Sequence, residues 1–514
     1  MPLTQRLGSR IELFATSNLF TSILKCIPAE IVQLANSLNF ELYAVGGCIR
    51  DRLLQKNAGD IDLAVVGDAT ILAEQAAKIL NIPNPIIYSR FGTALLQTHI
   101  GKIEFASARK ESYSSDSRNP NTTQVSSIEE DLQRRDFTVN ALALGLNGKR
   151  AGELLDLFGG LNDLERKILR TPLDPDVTFS DDPLRMLRAI RFAAELEFEI
   201  ENSTSQSISR NAHRIKIVAR ERIGDEFFKM LSGKMPSRAM NLMVELGLME
   251  LIIPEVTAMG GVEQVGRHAH KDVLVHSIKV MQNVADATTE PIVRLAGLLH
   301  DIGKPRTKRF DPVIGWSFHG HEALGARMAN SIGKRLCLGK ENLHLLVQLV
   351  RLHMRPVNLT DEGVTDSAIR RLMVEAGDAL QEQLILCRAD ITTANPKLVS
   401  RYLANFEEME QRMGDVTAQD KMRNFQSPIR GEEIMEICSL PAGPLVGALK
   451  GRIEDAILDG VISFDYEAAK NYLLEIKDRV LNTDPKQLAE EIKTRSRMRK
   501  NVGNDFQFPE ENSA

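Results

Sequence analysis

The chain has 514 residues, 43% of them hydrophobic and 26% charged, which excludes both a single small binding module and global disorder. Lys and Arg number 64 against 69 Asp and Glu, a net charge of −5, so any contact with nucleic acid must be local rather than a property of the whole surface. Cys26, Cys48, Cys337, Cys387 and Cys438 form no CxxC pair and read as free thiols; with no secretory leader and no apolar run near the roughly 20 residues that span a bilayer, the expectation is a soluble cytoplasmic protein without a membrane partner.

From about 30 to 145 helical and strand periods alternate: a helix in AEIVQLANSLNF, strands in ELYAVGG and DIDLAVVG, a helix in ATILAEQAAKIL, then strands in GTALLQTHI and KIEFASA. The pattern predicts one α+β domain. KESYSSDSRNPNTTQVSS, from Lys110 to Ser127, reads as a mobile surface loop beside the sheet. Beyond about 150 no strand pair is evident, and helical periods run between breaks at Pro172, Pro254, Pro305, Pro356 and Pro441. The last stretch holds KTRSRMRK at 493–500, read as a frayed, solvated helix in preference to an RNA-contacting tail.

The chemistry starts at VGGCIRD, where a strand gives way to a helix. Gly46 and Gly47 let a polyanion approach the backbone, and Arg50 with the helix start supplies positive potential for phosphates. Asp60 and Asp62 follow at the head of the next strand, two apart and so on one face. Glu104, between Ile103 and Phe105 in a later strand, brings a third acid to the same surface. Three carboxylates gathered this way repel one another unless a cation sits among them, and Mg²⁺ held there with substrate phosphates is suited to nucleotidyl transfer.

In FSDDPLRMLRAIRFAAEL, Ser180 reads as an N-cap, Asp181 and Asp182 complement the helix dipole and Pro183 fits the first turn. Asp182 and Arg185, three apart, project together as an acceptor beside a donor. Cytosine and adenine each present an amine next to a ring-nitrogen acceptor, whereas uracil and guanine present a carbonyl next to an N–H. Such a pair therefore accepts C and A and leaves U and G with unpaired groups.

The acidic set resembles the nucleotidyltransferase superfamily. With LQRRDFTVNALAL, holding Arg134, Arg135, Asp136 and Asn140, and the DDPLRMLRAIRF string with Arg185, Arg188 and Arg191, the chain resembles the class II tRNA nucleotidyltransferase and bacterial poly(A) polymerase family, whose motifs match in order over about 41–200. Cys48 and Asp181 are mild departures from the common residues. The resemblance implies a polymerase-beta-like catalytic domain (30–150), a helical neck binding nucleotide and RNA (151–265), an HD domain (266–425), a helical C-terminal domain (426–482) and a basic tail (483–514). It implies Asp60 and Asp62 as Mg²⁺ ligands, Glu104 completing the site, and Gly46, Gly47, Arg50, Arg134, Arg135, Asn140, Asp182, Arg185 and Arg188 around CTP or ATP, with Asp136 on the ribose. The partner it implies is tRNA, and the product a CCA end. Poly(A) synthesis, or addition of only part of CCA, shares every motif. ERIGDEFFKML at 221–231 reads as packing.

His276, then His300 and Asp301 in LAGLLHDIGK, then Asp390 resemble the HD phosphohydrolase ligand set for a divalent metal of undetermined identity. Lys304 is a candidate phosphate contact or acid. His319, His321 and His353 leave room for a second metal, but ordinary core or surface histidines are the preferred reading. An alternative makes HD hydrolysis the main activity and the N-terminal domain a nucleotide-binding regulator.

Overall fold

The computed structural model describes residues 18–483, apart from 57–58, 90–91, 115–116, 267–268, 312–314, 359–364, 394, 421–426 and 459. Two compact units meet in sequence at Ile252 and Ile253, ahead of the 265 boundary expected. The basic string at 493–500 lies outside the described residues.

The first unit is built on a seven-stranded sheet of β1 (Glu41–Val45), β2 (Ile61–Val66), β3 (Ile86–Tyr88), β4 (Thr93–Gln97), β5 (Lys102–Ser107), β8 (Leu142–Gly145) and β9 (Leu154–Asp156), in the order β3-β4-β5-β2-β1-β8-β9. Only β2 and β5 run parallel; every other neighbouring pair is antiparallel. Helices α1 (Ala29–Ser37), α2 (Gly47–Leu53) and α3 (Ala69–Leu80) are interleaved with the first strands, as the alternation of periods predicts. Asp68 caps α3, its carboxylate accepting from the Thr70 and Ile71 amides at 2.9 and 3.2 Å, a contribution of about 1 kcal/mol. Helix α4 (Ile128–Gln133) seats Ile128 and Leu132 on Tyr43, Val45, Ala64 and Ala143, so the central strands are covered and read as near-continuous apolar text.

Several elements depart from the sequence reading. The 110–127 segment is a β-hairpin, β6 (Arg109–Ser114) with β7 (Ser117–Val125), rather than a loop. A hairpin satisfies its backbone groups with its own ladder and needs no apolar face to form one, so no packing residues mark it in the sequence. Strand pairs also occur beyond 150: β9 joins the main sheet, β10 (Ile168–Leu169) pairs with β11 (Glu199–Ile200), β12 (Glu263–Gly266) with β13 (Ala269–Asp272), and β14 (Arg309–Asp311) with β15 (Gly315–Ser317). These are too short to leave a period in the sequence.

Helix α5 (Pro175–Asp181) starts at the Asp174 cap and contains Ser180 in its last turn, so Ser180 is not an N-cap. Pro183 has no amide to continue the helix, and the chain turns at Asp182 into α6 (Leu184–Leu196). Asp182 stands just ahead of the new helix, its Oδ1 accepting from the Leu184 amide at 3.2 Å. Helix α7 (Arg220–Ser232) follows in the same unit.

In the second unit, α8 (Val273–Ala287), α9 (Pro291–Leu299), α10 (His321–Arg335), α11 (Lys340–Leu352) and α12 (Leu380–Ala389) surround a polar cluster described below. The last helices, α13 (Gly431–Cys438), α14 (Pro444–Leu458) and α15 (Tyr466–Leu481), share their own apolar core of Ile434, Leu449, Ile453, Leu473, Ile476 and Val480. All five cysteines are free, and among the described residues no helix is long and apolar enough to cross a membrane.

Candidate active site

Parallel pairing of β2 with β5 sets Asp62 directly opposite Glu104, and Asp60 stands one residue before β2 at the same end. Slipping the register by one residue would send Glu104 to the other face of the sheet. Burial, then the charges of Glu104 and Asp60, push the Asp62 carboxyl up to about 6 even though Arg135 and Arg50 pull it down. The three acids are therefore short of positive charge. Their all-oxygen donor set fits a hard divalent cation.

Gly46 ends β1 with φ 73°, a backbone conformation that side chains disfavour. A Cβ there would also meet Arg135 Nη1 at 3.1 Å and Asp62 Oδ2 at 3.8 Å. Gly46 thus lets the guanidinium close over the acidic edge, and Gly47 opens α2, in which Arg50 is buried.

Arg50 Nη1 donates to Asn140 Oδ1 at 2.7 Å, Asn140 Nδ2 donates to Asp136 Oδ1 at 3.0 Å, and Arg188 Nε donates to Asp136 Oδ2 at 2.8 Å. Arg191 and Arg188 in turn face Glu226 of α7, at 2.7 and 3.9 Å. This chain wraps the Phe192 ring, which lies 4.9, 5.2 and 4.1 Å from the guanidinium carbons of Arg50, Arg188 and Arg191. Burial alone would raise the Asp136 pKa, but the Arg188 charge and the bonds from Asn140 and Arg188 outweigh it and hold the carboxyl down at about 2.

Arg134 and Arg135 share one carboxylate. Asp131, 1% exposed, accepts from Arg134 Nη2 at 2.7 Å and from Arg135 Nη2 at 2.9 Å. Asp182 and Arg185 do line a common cleft but are held apart: Arg222 Nη2 donates to Asp182 Oδ2 at 2.9 Å, while Arg185 Nη2 donates to the Arg134 carbonyl at 2.6 Å. That cleft, about 470 Å³, is lined by six cations (Arg134, Arg135, Arg185, Arg188, Arg222, Lys229) against four acids (Asp136, Asp182, Asp225, Glu226), a balance suited to a triphosphate.

Asp131, Phe192, Arg222 and Glu226 were not among the residues expected. ERIGDEFFKML is thus more than packing, since it lends Arg222, Asp225, Glu226 and Lys229 to the cleft. The signal was available in the i,i+4 spacing of Arg222 with Glu226, which puts them on one helix face, and of Asp131 with Arg135, which lets the guanidinium fold back from just beyond the end of α4.

In the second unit five helices deliver six ligand-type side chains. His276, His300 and Asp390 form one group and Asp301, His321 and His353 another. Asp301 joins them, with Oδ2 3.1 Å from His300 Nε2 and Oδ1 3.4 and 3.7 Å from His321 and His353 Nε2. His321 and His353 are therefore part of the cluster and not ordinary core histidines, whereas His319 is exposed and outside it.

Nδ1 of His300, His321 and His353 faces the carbonyls of Gly297, Phe318 and Val350 at 2.9, 2.9 and 2.7 Å. A carbonyl only accepts, so these nitrogens carry the proton; burial lowers His321, and His353 to about 3, so these two rings are neutral with Nε2 lone pairs pointing inward, while at His300 burial is outweighed by the charges of Asp301 and Asp390, which raise it to about 9 and are replaced by the ion's own charge when a metal takes the proton's place. His321 and His353 Nε2 lie 3.2 Å apart, and buried His300 Nε2 faces Asp301 Oδ2 at 3.1 Å and Asp390 Oδ1 at 3.7 Å. Such inward lone pairs and carboxylates are a donor set for divalent metal. Lys304 Nζ contacts Asp301 Oδ2 at 2.6 Å. Gly303 makes the turn possible, because a Cβ there would meet the His321 carbonyl at 2.2 Å.

Three segments of the chain match known protein families. Residues 42–170 match the Poly A polymerase head domain, 197–259 the probable RNA and SrmB-binding site of polymerase A, and 273–395 the HD domain. The A-adding tRNA nucleotidyltransferase of Deinococcus radiodurans is 34% identical over 350 residues, 66% of this chain and 78% of that protein. The CC-adding tRNA nucleotidyltransferase of Thermus thermophilus is 30% identical over 80% of this chain and 89% of its own length. A CCA-adding enzyme of a Geobacillus species is 40% identical over 220 residues, so this chain spans about half (52%) of its length. Among solved structures, a CCA-adding enzyme (apo form II) superposes with a TM-score of 0.59 at 21% identity, covering 93% of this chain and 98% of that one.

Proposed function

The chain belongs to the tRNA nucleotidyltransferase and poly(A) polymerase family, and on that premise we propose that it adds C, C and A to tRNA 3′ ends from CTP and ATP, without a template and with release of pyrophosphate. The observation that carries the proposal is the Asp62–Glu104 register with Asp60 beside it, next to the cationic cleft. In this reading Asp60 and Asp62 hold Mg²⁺ and Glu104 completes the site. The ion, when bound, offsets charge on the phosphates and lowers the pKa of the attacking 3′ hydroxyl. Arg50, Arg134, Arg135 and Arg188 orient the triphosphate, and Asp182 with Arg185 reads the base edge. Asp136 accepts a ribose hydroxyl in exchange for one of its present bonds. The free thiols suit a cytoplasmic location.

A partial enzyme is the second reading, favoured by the long alignments with A-adding and CC-adding proteins. The test is incubation of the full chain with Mg²⁺ and tRNA transcripts ending before CCA, after C or after CC, with CTP, ATP or both, resolved at single-nucleotide length. Stepwise growth that stops at CCA supports the proposal. Addition of A only after CC, or of two C residues only, replaces it with the partial reading, and long A tails make the protein a poly(A) polymerase.

In the second unit we propose a metal-dependent phosphohydrolase acting on phosphate esters, with His276, His300, Asp301 and Asp390 as ligands, joined by His321 and His353. Loss of hydrolysis in His300→Ala and Asp301→Ala supports it; hydrolysis unchanged in both variants rejects it.

A further inference from the structure

Directly after the His300–Asp301 pair the chain makes a short helix, Lys304–Thr307, and then the β14–β15 hairpin. The hairpin is tied to the cluster: the Phe318 carbonyl that ends it lies 2.9 Å from His321 Nδ1 and 3.5 Å from the Thr307 hydroxyl. Two large aromatic side chains stand on it in the open, Phe310 at 63% and Trp316 at 43% exposure. They are cross-strand partners with ring centroids 5.2 Å apart and planes at 69°, and Lys308 Nζ lies 4.6 Å from the Trp316 ring centre. Folding gains little from aromatic rings left in water, so their placement calls for a ligand.

The surroundings say which kind. Residues 304–317 hold Lys304, Arg306, Lys308 and Arg309 against the single acid Asp311, in a chain whose net charge is −5. Arg306 and Arg309 are exposed. Cations interleaved with exposed aromatic rings match the alternation of phosphate and base along an unpaired nucleic-acid strand. A duplex has its bases already stacked and offers these rings nothing.

We propose that the β14–β15 hairpin is a docking surface for the single-stranded 3′ end of an RNA, with a base stacked against Phe310 and Trp316 beside the histidine–aspartate cluster. The kinetic part of its test rests on the phosphohydrolase reading of that cluster. Its docking half is tested separately from hydrolysis.

Trp316 is the chain's only tryptophan, so its fluorescence reports on this hairpin alone. Titration of the full chain with a single-stranded hexaribonucleotide is expected to quench that fluorescence saturably, while a blunt duplex of the same length and inorganic phosphate do not. In a second measurement, Phe310→Ala and Trp316→Ala are expected to raise KM about tenfold for hydrolysis of an RNA 3′-terminal phosphate ester, with kcat and the hydrolysis of a small aryl phosphate unchanged. Phe310→Tyr keeps the π-face and restores KM. Both side chains are solvent-facing, so the variants leave the core intact.

Quenching by the single strand in a protein that hydrolyses neither substrate upholds the docking surface and rejects the hydrolytic reading. Equal quenching by duplex and single strand, or an RNA KM unmoved in both alanine variants, overturns the docking surface whatever the hydrolysis rate.

Discussion

Asp62 and Glu104 face each other across the only parallel strand pair of the main sheet, 42 residues apart in sequence and one ladder rung apart in space. Nothing in either strand alone requires the meeting. The pairing concentrates negative charge where burial already penalises it, which is poor design for stability and good design for holding a cation.

It follows that removing one of these charges stabilises the metal-free protein while ending catalysis. Asp62→Asn is expected to melt higher than wild type in EDTA, by about 2–4 °C for each kcal/mol of relieved repulsion. Mg²⁺ is expected to raise the melting temperature of wild type and not that of the variant. Nucleotide addition by the variant is expected to fall about a thousandfold or more. Calorimetry with and without Mg²⁺, beside single-turnover addition, checks both halves.

Arg222 holds the carboxylate of Asp182, the proposed reader of the base edge, at 2.9 Å. Arg222→Met leaves the Asp182 carboxylate without its 2.9 Å donor, and a lost bond to a charged group is worth about 1.5–3 kcal/mol. The expected result is kcat/KM for CTP and ATP lower by at least about tenfold, with relatively more UTP and GTP incorporated. Primer extension with each of the four nucleotides separately measures it.

Asp136 supplies a pH signature. Its carboxyl, buried and held at about 2 against an ordinary 3.8, binds its proton more weakly in the folded chain than in the unfolded one. The resulting stability, about 2 kcal/mol, is fully present above pH 3.8 and lost as pH falls toward 2. Urea melts of wild type and Asp136→Asn are expected to differ by at least that amount at pH 7, with a gap that narrows below pH 4.

Four of the six cluster residues stood out in the sequence as candidate ligands, because an adjacent His–Asp pair between a preceding His and a distant Asp is an unusual pattern. His321 and His353 were not, since a histidine at a helix terminus carries no mark of what it faces. Only the fold shows their Nε2 atoms 3.2 Å apart beside Asp301. The same divide runs through the first unit. Gly46, Asp60, Asp62 and Arg50 stood out by local spacing, while Arg222 and Glu226 entered the cleft through the crossing of α7 beside α6, a tertiary contact. Residues that bear chemistry leave local motifs, whereas residues that hold them in position are ordinary helix surface until the helices meet.

The divided cluster predicts graded metal loss. His276→Ala and His353→Ala each remove a ligand from a different group, so metal content per chain is expected to fall in each and further in the double variant. Nucleotide addition is expected to persist in all three, since these residues lie in the second unit. Elemental analysis after dialysis against Mn²⁺ or Ni²⁺, with a parallel addition assay, reports both; lost addition in the single variants with native melting curves overturns the separation of the two sites.

The bonded series from Arg50 through Asn140, Asp136 and Arg188 to Glu226 and Arg191 closes around one aromatic ring and joins the strand-rich part of the first unit to α6 and α7. A strut of this kind is hard to bend one joint at a time, because each partner fixes the angle of the next. A nucleotide of the wrong shape then has few soft coordinates through which the walls could yield to it. Discrimination in such a cleft is a matter of stiffness as well as of hydrogen-bond pattern. Asn140→Ala, in the middle of the strut, is therefore expected to loosen selectivity among the four nucleotides, read by primer extension with each one separately.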